Sequence, residues 1–153
     1  MTGRKTMIAN PLAGRVGYQL RRASSLMMTD LAQRLSALKL RPADASVLVM
    51  IQANPGITQS QIGRILGIQR ANMAPLAAGL QSRGAIEGEP VDGRSVGYRV
   101  TPSGEALAGA VVRHIEAHEA RYLSDLDPKA RKSLIDWLVL VQETDDEESK
   151  RTA

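Results

Sequence analysis

The chain has 153 residues and a mass of 16.5 kDa, enough for one domain or one domain with a dimerisation extension. A chain this short rarely holds an enzyme with separate cofactor and substrate domains. Hydrophobic residues make up 43% and charged residues 24%, a globular balance, yet aromatic content is 3% and Phe is absent, so the core must be Leu, Ile, Val, Ala and Met. The absence of Cys excludes disulfide frameworks, Cys-ligated zinc, thiol nucleophiles and cysteine redox sensing.

No run of apolar residues is long enough for a membrane span. No apolar signal core follows Met1-Thr2-Gly3-Arg4-Lys5-Thr6, so a cytoplasmic protein with no membrane partner is expected. Charge is unevenly spread: residues 1–100 carry 13 Lys and Arg against 5 Asp and Glu, whereas residues 101–153 carry 7 against 11. A basic front and an acidic back point to a polyanion partner for the first part.

Residues 1–10 are polar and aperiodic and read as a flexible N-terminal arm. Asn10-Pro11 then reads as a helix cap followed by Pro in the first turn. Val16, Leu20, Ala23, Met27, Leu31, Leu35 and Leu38 recur at three- and four-residue steps, one apolar stripe on a long first helix. Pro42 opens a second helix carrying Val47, Leu48 and Ile51, and Asn54-Pro55-Gly56 ends it. Thr58 can cap a short third helix over residues 59–66. Gly67 makes a turn, a fourth helix follows over about residues 69–83, and Gly84 supplies a left-handed stop.

The periodicity then changes. Residues 85–89 and 97–101 read as short strands around the turn-rich connector 90–96, with Asp92-Gly93 at its centre, giving a β-hairpin. Thr101-Pro102 starts a fifth helix to about Leu123, with Leu107, Val111, Ile115 and Tyr122 on its apolar face. Asp127-Pro128 starts a sixth, with Ala130, Leu134, Trp137, Leu138 and Val141 on one side. Residues 145–153 read as an acidic flexible tail. The fold expected is mainly α with a small β-hairpin wing. The first, fifth and sixth helices look too long and too apolar to bury themselves in one small core, so a second copy is expected to cover them.

The chemistry concentrates in residues 57–80. Ile62, Leu66, Ile68, Met73, Leu76 and Leu80 fall where two helices meeting at a Gly turn would bury them, which is helix-turn-helix packing. The fourth helix would enter a major groove, with Gln69, Arg70 and Asn72 near its start as base readers: Arg pairs with guanine, Asn and Gln with adenine. Thr58, Gln59 and Ser60, at the start of the third helix, offer N–H groups and hydroxyls to phosphate. Arg94, at the hairpin tip, could enter a neighbouring minor groove, with Asp92 holding its guanidinium. The plainer alternative is an ordinary Asp-Gly turn with a solvated Arg.

Leu66-Gly67-Ile68, Leu80 with Arg83-Gly84, Asp92-x-Arg94 and Val100-Thr101-Pro102-Ser103-Gly104, in that order, resemble the MarR family of winged helix-turn-helix transcription regulators, over about residues 16–142. The resemblance implies a homodimer clasped through the first, fifth and sixth helices. It also implies repression at a pseudo-palindromic duplex operator, and a small-molecule pocket between the dimer helices and the DNA-binding lobe. On that basis residues 11–40 form a dimerisation helix, 41–101 the winged helix-turn-helix DNA-binding domain and 102–144 the C-terminal dimerisation helices. Arg94 and Asp92 carry over as the wing-tip pair, and Gln69, Arg70 and Asn72 as base readers. One departure is Pro75, inside the recognition helix, where the family commonly has a polar or basic residue. Either the helix starts later, or it kinks, or Pro75 faces solvent and is tolerated.

Tyr18, Arg22 and Met27 on the first helix, with His114 and His118 on the fifth, are candidate effector-binding residues. Met suits flat apolar ligands, and Arg pairs with a carboxylate or phosphate. The family commonly senses phenolic acids and their coenzyme A thioesters. His114 and His118, four residues apart and near Glu119, could instead begin a metal site, as in zinc-responsive members, but no further His or Cys exists to complete it. No cofactor is expected, and no acid, base and nucleophile come together to suggest an enzyme. An architectural factor or a non-DNA-binding adaptor that keeps the fold remains the alternative from another class.

Overall fold

Capping chemistry sets most of the element boundaries. The computed structural model describes residues 9–92 and 95–152. In chain order the elements are α1 (Val16–Ser36), α2 (Pro42–Ala53), β1 (Ile57–Thr58), α3 (Gln59–Leu66), α4 (Arg70–Ser82), β2 (Ile86–Asp92), β3 (Ser95–Val100), α5 (Pro102–Leu123) and α6 (Pro128–Thr152). Pro42 takes the first turn of α2, as expected. Ahead of it the Arg41 N–H donates to Asp44 Oδ2 at 3.0 Å, and the Arg41 guanidinium reaches both carboxylate oxygens. Thr58 caps α3 reciprocally with Gln61. Gly67 and Gly84 take the left-handed backbone expected of them, at φ 64° and 65°. Asp127 Oδ1 accepts from the N–H groups of Lys129 and Ala130, both at 2.9 Å, and starts α6.

Four expectations need correction. Asn10-Pro11 does not start α1. Asn10 Oδ1 accepts from the Leu12 N–H and holds a separate turn, and the helix begins after Arg15. The connector 90–96 is mostly strand: Pro90 pairs with Val96, and a bulge lies between Pro90 and Asp92. The wing is also not a bare hairpin. β1 adds to it, giving a three-stranded antiparallel sheet of order β1-β3-β2. Finally, helix continues through the acidic segment to Thr152 rather than ending near residue 144. Glu147, Glu148, Lys150 and Arg151 in that segment are good helix formers.

The chain packs as two units, Met1–Ile115 and Glu116–Ala153. In the first, Leu35 of α1, Val47, Leu48 and Ile51 of α2, Ile62 of α3, Met73 and Leu80 of α4 and Val111 of α5 are fully buried together. The junction of wing and α5 is equally tight. Thr101 Oγ1 donates to the Gly84 carbonyl at 2.6 Å and accepts from the Gly104 N–H at 3.0 Å. Ser103 Oγ donates to the same Gly84 carbonyl at 2.9 Å. A Cβ on Gly104 would lie 1.8 Å from the Ala85 carbonyl oxygen, so that position admits only Gly. In the second unit, His118 and Tyr122 meet edge to face with ring centroids 5.3 Å apart, and Glu119 pairs with Arg131.

Two outcomes follow. Gly104→Ala should destabilise by about 3 kcal/mol, an overpacking effect at its upper range, and lower the melting temperature by roughly 10 °C. An unchanged melt would show that the wing–α5 junction yields easily. Asp44 carries the second. Burial pulls its pKa up, but the Arg41 side-chain and backbone bonds outweigh this and hold it below the usual carboxylate value. Such a group contributes stability above its unfolded pKa and loses it as pH falls through the folded value. Asp44→Asn should therefore lower the melting temperature at neutral pH and flatten the loss of stability below about pH 4. A pH profile parallel to that of the native protein would contradict this.

Candidate nucleic-acid interface

The helix-turn-helix core forms as its spacing implies. Ile62, Met73, Leu76 and Leu80 are buried, and Leu66 and Ile68 pack against them. The turn closes through a hydrogen bond from the Ile68 N–H to the Gly63 carbonyl at 2.8 Å. Burying one side of α4 leaves the other in solvent. Arg70, Ala71, Asn72, Ala74, Pro75, Ala78 and Gly79 are all exposed, as is Gln69. Gln69 is the residue before the helix, and its carbonyl accepts from the Asn72 N–H at 2.9 Å.

Pro75 is resolved by this arrangement. The helix begins at Arg70, so Pro75 lies past the first turn, and it lies on the exposed side. No neighbouring element has to accommodate its ring. The price is one backbone hydrogen bond, since Pro75 has no N–H to offer the Ala71 carbonyl. Ala71, Ala74, Pro75 and Ala78 share the outward stripe. The polar side chains exposed on α4 and just before it are therefore concentrated at its start, at Gln69, Arg70 and Asn72.

The residues proposed for phosphate divide. Thr58 Oγ1 is occupied with Gln61. The Gln59 amide donates to the Tyr98 hydroxyl at 2.6 Å, tying α3 to β3 across 39 residues of sequence. Both side chains thus hold the scaffold in this geometry. Ser60 instead lines a cavity of about 310 Å³ with Gln59, Gly63, Arg64, Ile68, Arg70 and Met73. Arg64 also lines a second cavity of about 330 Å³, with Asn54, Gly56, Gln61 and Ile65 among others. The sequence reading did not single out Arg64. Its signal was available: it stands four residues after Ser60, on the side of α3 away from Ile62 and Leu66. In the wing, Arg99 pairs with Glu89. Arg94 and the side chain of Asp92 lie outside the described residues, so the wing-tip pair is not part of this geometry.

The Tyr18 hydroxyl accepts from Asn10 Nδ2 at 3.1 Å and Arg22 Nη1 at 3.4 Å. The guanidinium carbons of Arg21 and Arg22 lie 5.6 and 5.7 Å from its ring centre. Asn10 first, then Arg22, favours the phenolate and lowers the Tyr18 pKa below the usual phenol value. Met27 is nine residues on, half a turn round the helix from Tyr18, and half-buried. His114 is half-buried and His118 is 5% exposed. Among the described residues no group of three or more His, Asp or Glu side chains could hold a metal ion.

A helix-turn-helix with an exposed polar helix start, followed at once by a β-wing, defines a winged helix-turn-helix DNA-binding protein. Residues 38–95 match the family model described as MarR family. A solved transcriptional repressor, CouR, bound to a 23-mer DNA duplex, is 31% identical, with a TM-score of 0.75 over 83% of this chain and 92% of that one. A proposed transcriptional regulatory protein for the hcr operon of Thauera aromatica is 28% identical over 92% of this chain and 87% of its own length. CouR from Rhodococcus jostii RHA1, solved with p-coumaroyl-CoA, shares the fold at 19% identity, with a TM-score of 0.77 over 85% of this chain and 93% of that one. The chain belongs to the MarR family of transcriptional regulators. It is a regulator and not an enzyme. No described helix is long and apolar enough to cross a membrane.

Removing Arg64 and removing Asn72 should differ in kind. Arg64→Ala is expected to weaken binding to all duplexes alike and to reduce the salt slope by about one. Asn72→Ala should cost about 1–3 kcal/mol and relax preference at one base position. Anisotropy titrations on variant duplexes at several salt concentrations separate the two. Sequence-dependent loss for Arg64→Ala, or uniform loss for Asn72→Ala, would reverse the assignments.

Proposed function

We propose that the chain is a homodimeric repressor that binds a pseudo-palindromic operator and leaves it when a small aromatic or acyl effector binds. The carrying observation is the uncovered apolar surface of the terminal helices. On α6, Leu134, Ile135, Trp137, Val139, Leu140 and Val141 are between 39% and 59% exposed. On α1, Val16, Leu20, Leu26 and Met28 are between 37% and 65% exposed. With burial worth about 25 cal/mol per Å² of apolar surface, a second copy is the natural cover. Two lobes joined in this way would place their α4 helices about 34 Å apart, in successive major grooves.

Within each lobe, Gln69, Arg70 and Asn72 read bases, Ser60 and Arg64 meet phosphates, and Arg94 at the wing enters the minor groove with Asp92 beside it. Tyr18, flanked by the Arg21 and Arg22 guanidiniums, offers an aromatic face and positive charge suited to an aromatic acid or its coenzyme A thioester. Met27, His114 and His118 complete the effector residues in this reading. The CouR relatives support both halves, one solved on DNA and one with p-coumaroyl-CoA. An effector releases DNA only by the difference in its affinity for the two lobe spacings.

The test is duplex binding by the native protein and by Arg94→Ala, with and without p-coumaroyl-CoA. Native binding should fall steeply with salt, the variant should bind several-fold more weakly while staying dimeric, and the thioester should release the duplex. A salt slope fit for only one or two phosphates would favour the adaptor. Indifference to the thioester and to a panel of aromatic acids would remove effector release.

A further inference from the structure

We propose that Arg83 is a positioning residue: a polar strut that fixes the angle at which α1 leaves the DNA-binding lobe, and so the separation of the two recognition helices. This rests on the reading that α1 joins two copies.

The chain leaves α1 by an unusual route. Leu40 N–H returns to the Leu35 carbonyl at 3.2 Å, and Lys39 N–H returns to the Ser36 carbonyl at 2.9 Å. Lys39 sits between them at φ 54°, the only described non-glycine residue in the left-handed region. Helices often stop in this way, but usually with Gly at that position. The carbonyls of Leu38 and Lys39 lie at this stop. The Arg83 guanidinium spans them, donating through Nη2 to the Leu38 oxygen at 2.8 Å and through Nη1 to the Lys39 oxygen at 2.7 Å.

Arg83 is also the C-cap residue of α4. One forked side chain therefore links the residue that caps the end of the recognition helix to the exit of α1, across 44 residues of sequence. The same guanidinium acts on Asp44, at the start of α2, and helps lower its pKa. Apolar packing also joins α1 and its exit to the lobe, through Leu35 and the partly buried Leu31 of the helix and Leu38 of the turn. Such contacts slide more readily than directed hydrogen bonds, and the fork adds the directional element. Arg83 is exposed, so water can replace its bonds at modest cost. The strut is thus suited to setting an angle more than to holding the fold. Lysine would keep the charge but lose the paired donors.

The chain has no Cys, so one introduced thiol labels cleanly. Ala78 is exposed on α4 and takes the label. Full-length Ala78→Cys protein carrying a nitroxide gives, in a dimer, the distance between the two recognition helices by pulsed dipolar spectroscopy. We expect a narrow distribution with Arg83, a clearly broadened or shifted one with Arg83→Ala, and an intermediate one with Arg83→Lys. Melting temperature should change little, which a merely structural residue would not allow. A distribution that is the same in all three would overturn the strut while leaving the dimer intact. Absence of any dipolar signal in the protein with Arg83 would overturn the dimer reading, and the strut with it.

Discussion

A helix cannot leave Leu, Ile, Val and Trp side chains in water on most of its circumference without some other surface to cover them. That constraint governs this molecule. α6 exposes six large apolar side chains between Leu134 and Val141, and α1 exposes four more. Neither helix can cross a membrane. The lobe around α2, α3 and α4 has its own complete core, with Leu48, Ile51, Ile62, Met73 and Leu80 fully buried. In the proposed dimer, stability of the lobe and joining of two lobes thus fall to different residues. In that dimer DNA recognition draws on both, because one lobe alone would read too few base pairs to find a site among many.

Within the lobe, polar groups are divided between those bonded into the scaffold and those left exposed on α4. Thr58, Gln61, Gln59 and Tyr98 are taken up in fixing α3 against the sheet. Gln69, Arg70 and Asn72 are left in solvent at the start of α4, while the rest of its outward face is Ala, Pro and Gly. An interface of that kind has few side chains that can report base identity. On the proposed function, phosphate contacts and duplex shape then carry a larger share of recognition.

Much of the fold was legible because its signals are local. Apolar spacing marked α1 and the two helices of the helix-turn-helix, and Pro42, Gly67, Gly84, Pro102 and Asp127-Pro128 marked boundaries. The errors also have local causes. β1 has two residues, too few to show alternation, and exists only because β3 pairs with it. Pro90 suggested a turn, but β2 is an edge strand, where a missing N–H is tolerated. Asn10-Pro11 has the composition of a helix start and holds a turn of its own. Of the candidate site, the exposure of Gln69, Arg70 and Asn72 at the start of α4 was legible from helix spacing. The use of Gln59 by Tyr98 and of Arg83 by α1 was not, since each contact joins residues about 40 positions apart.

The most direct measurement of the central claim is the solution mass of the purified chain, by sedimentation equilibrium from nanomolar to micromolar concentration. The account predicts twice the mass of the chain throughout the micromolar range. It further predicts that Leu140→Glu, placing a charge in the uncovered apolar face of α6, shifts the population toward monomer without melting the DNA-binding lobe. A native chain that remains monomeric at micromolar concentration would contradict it.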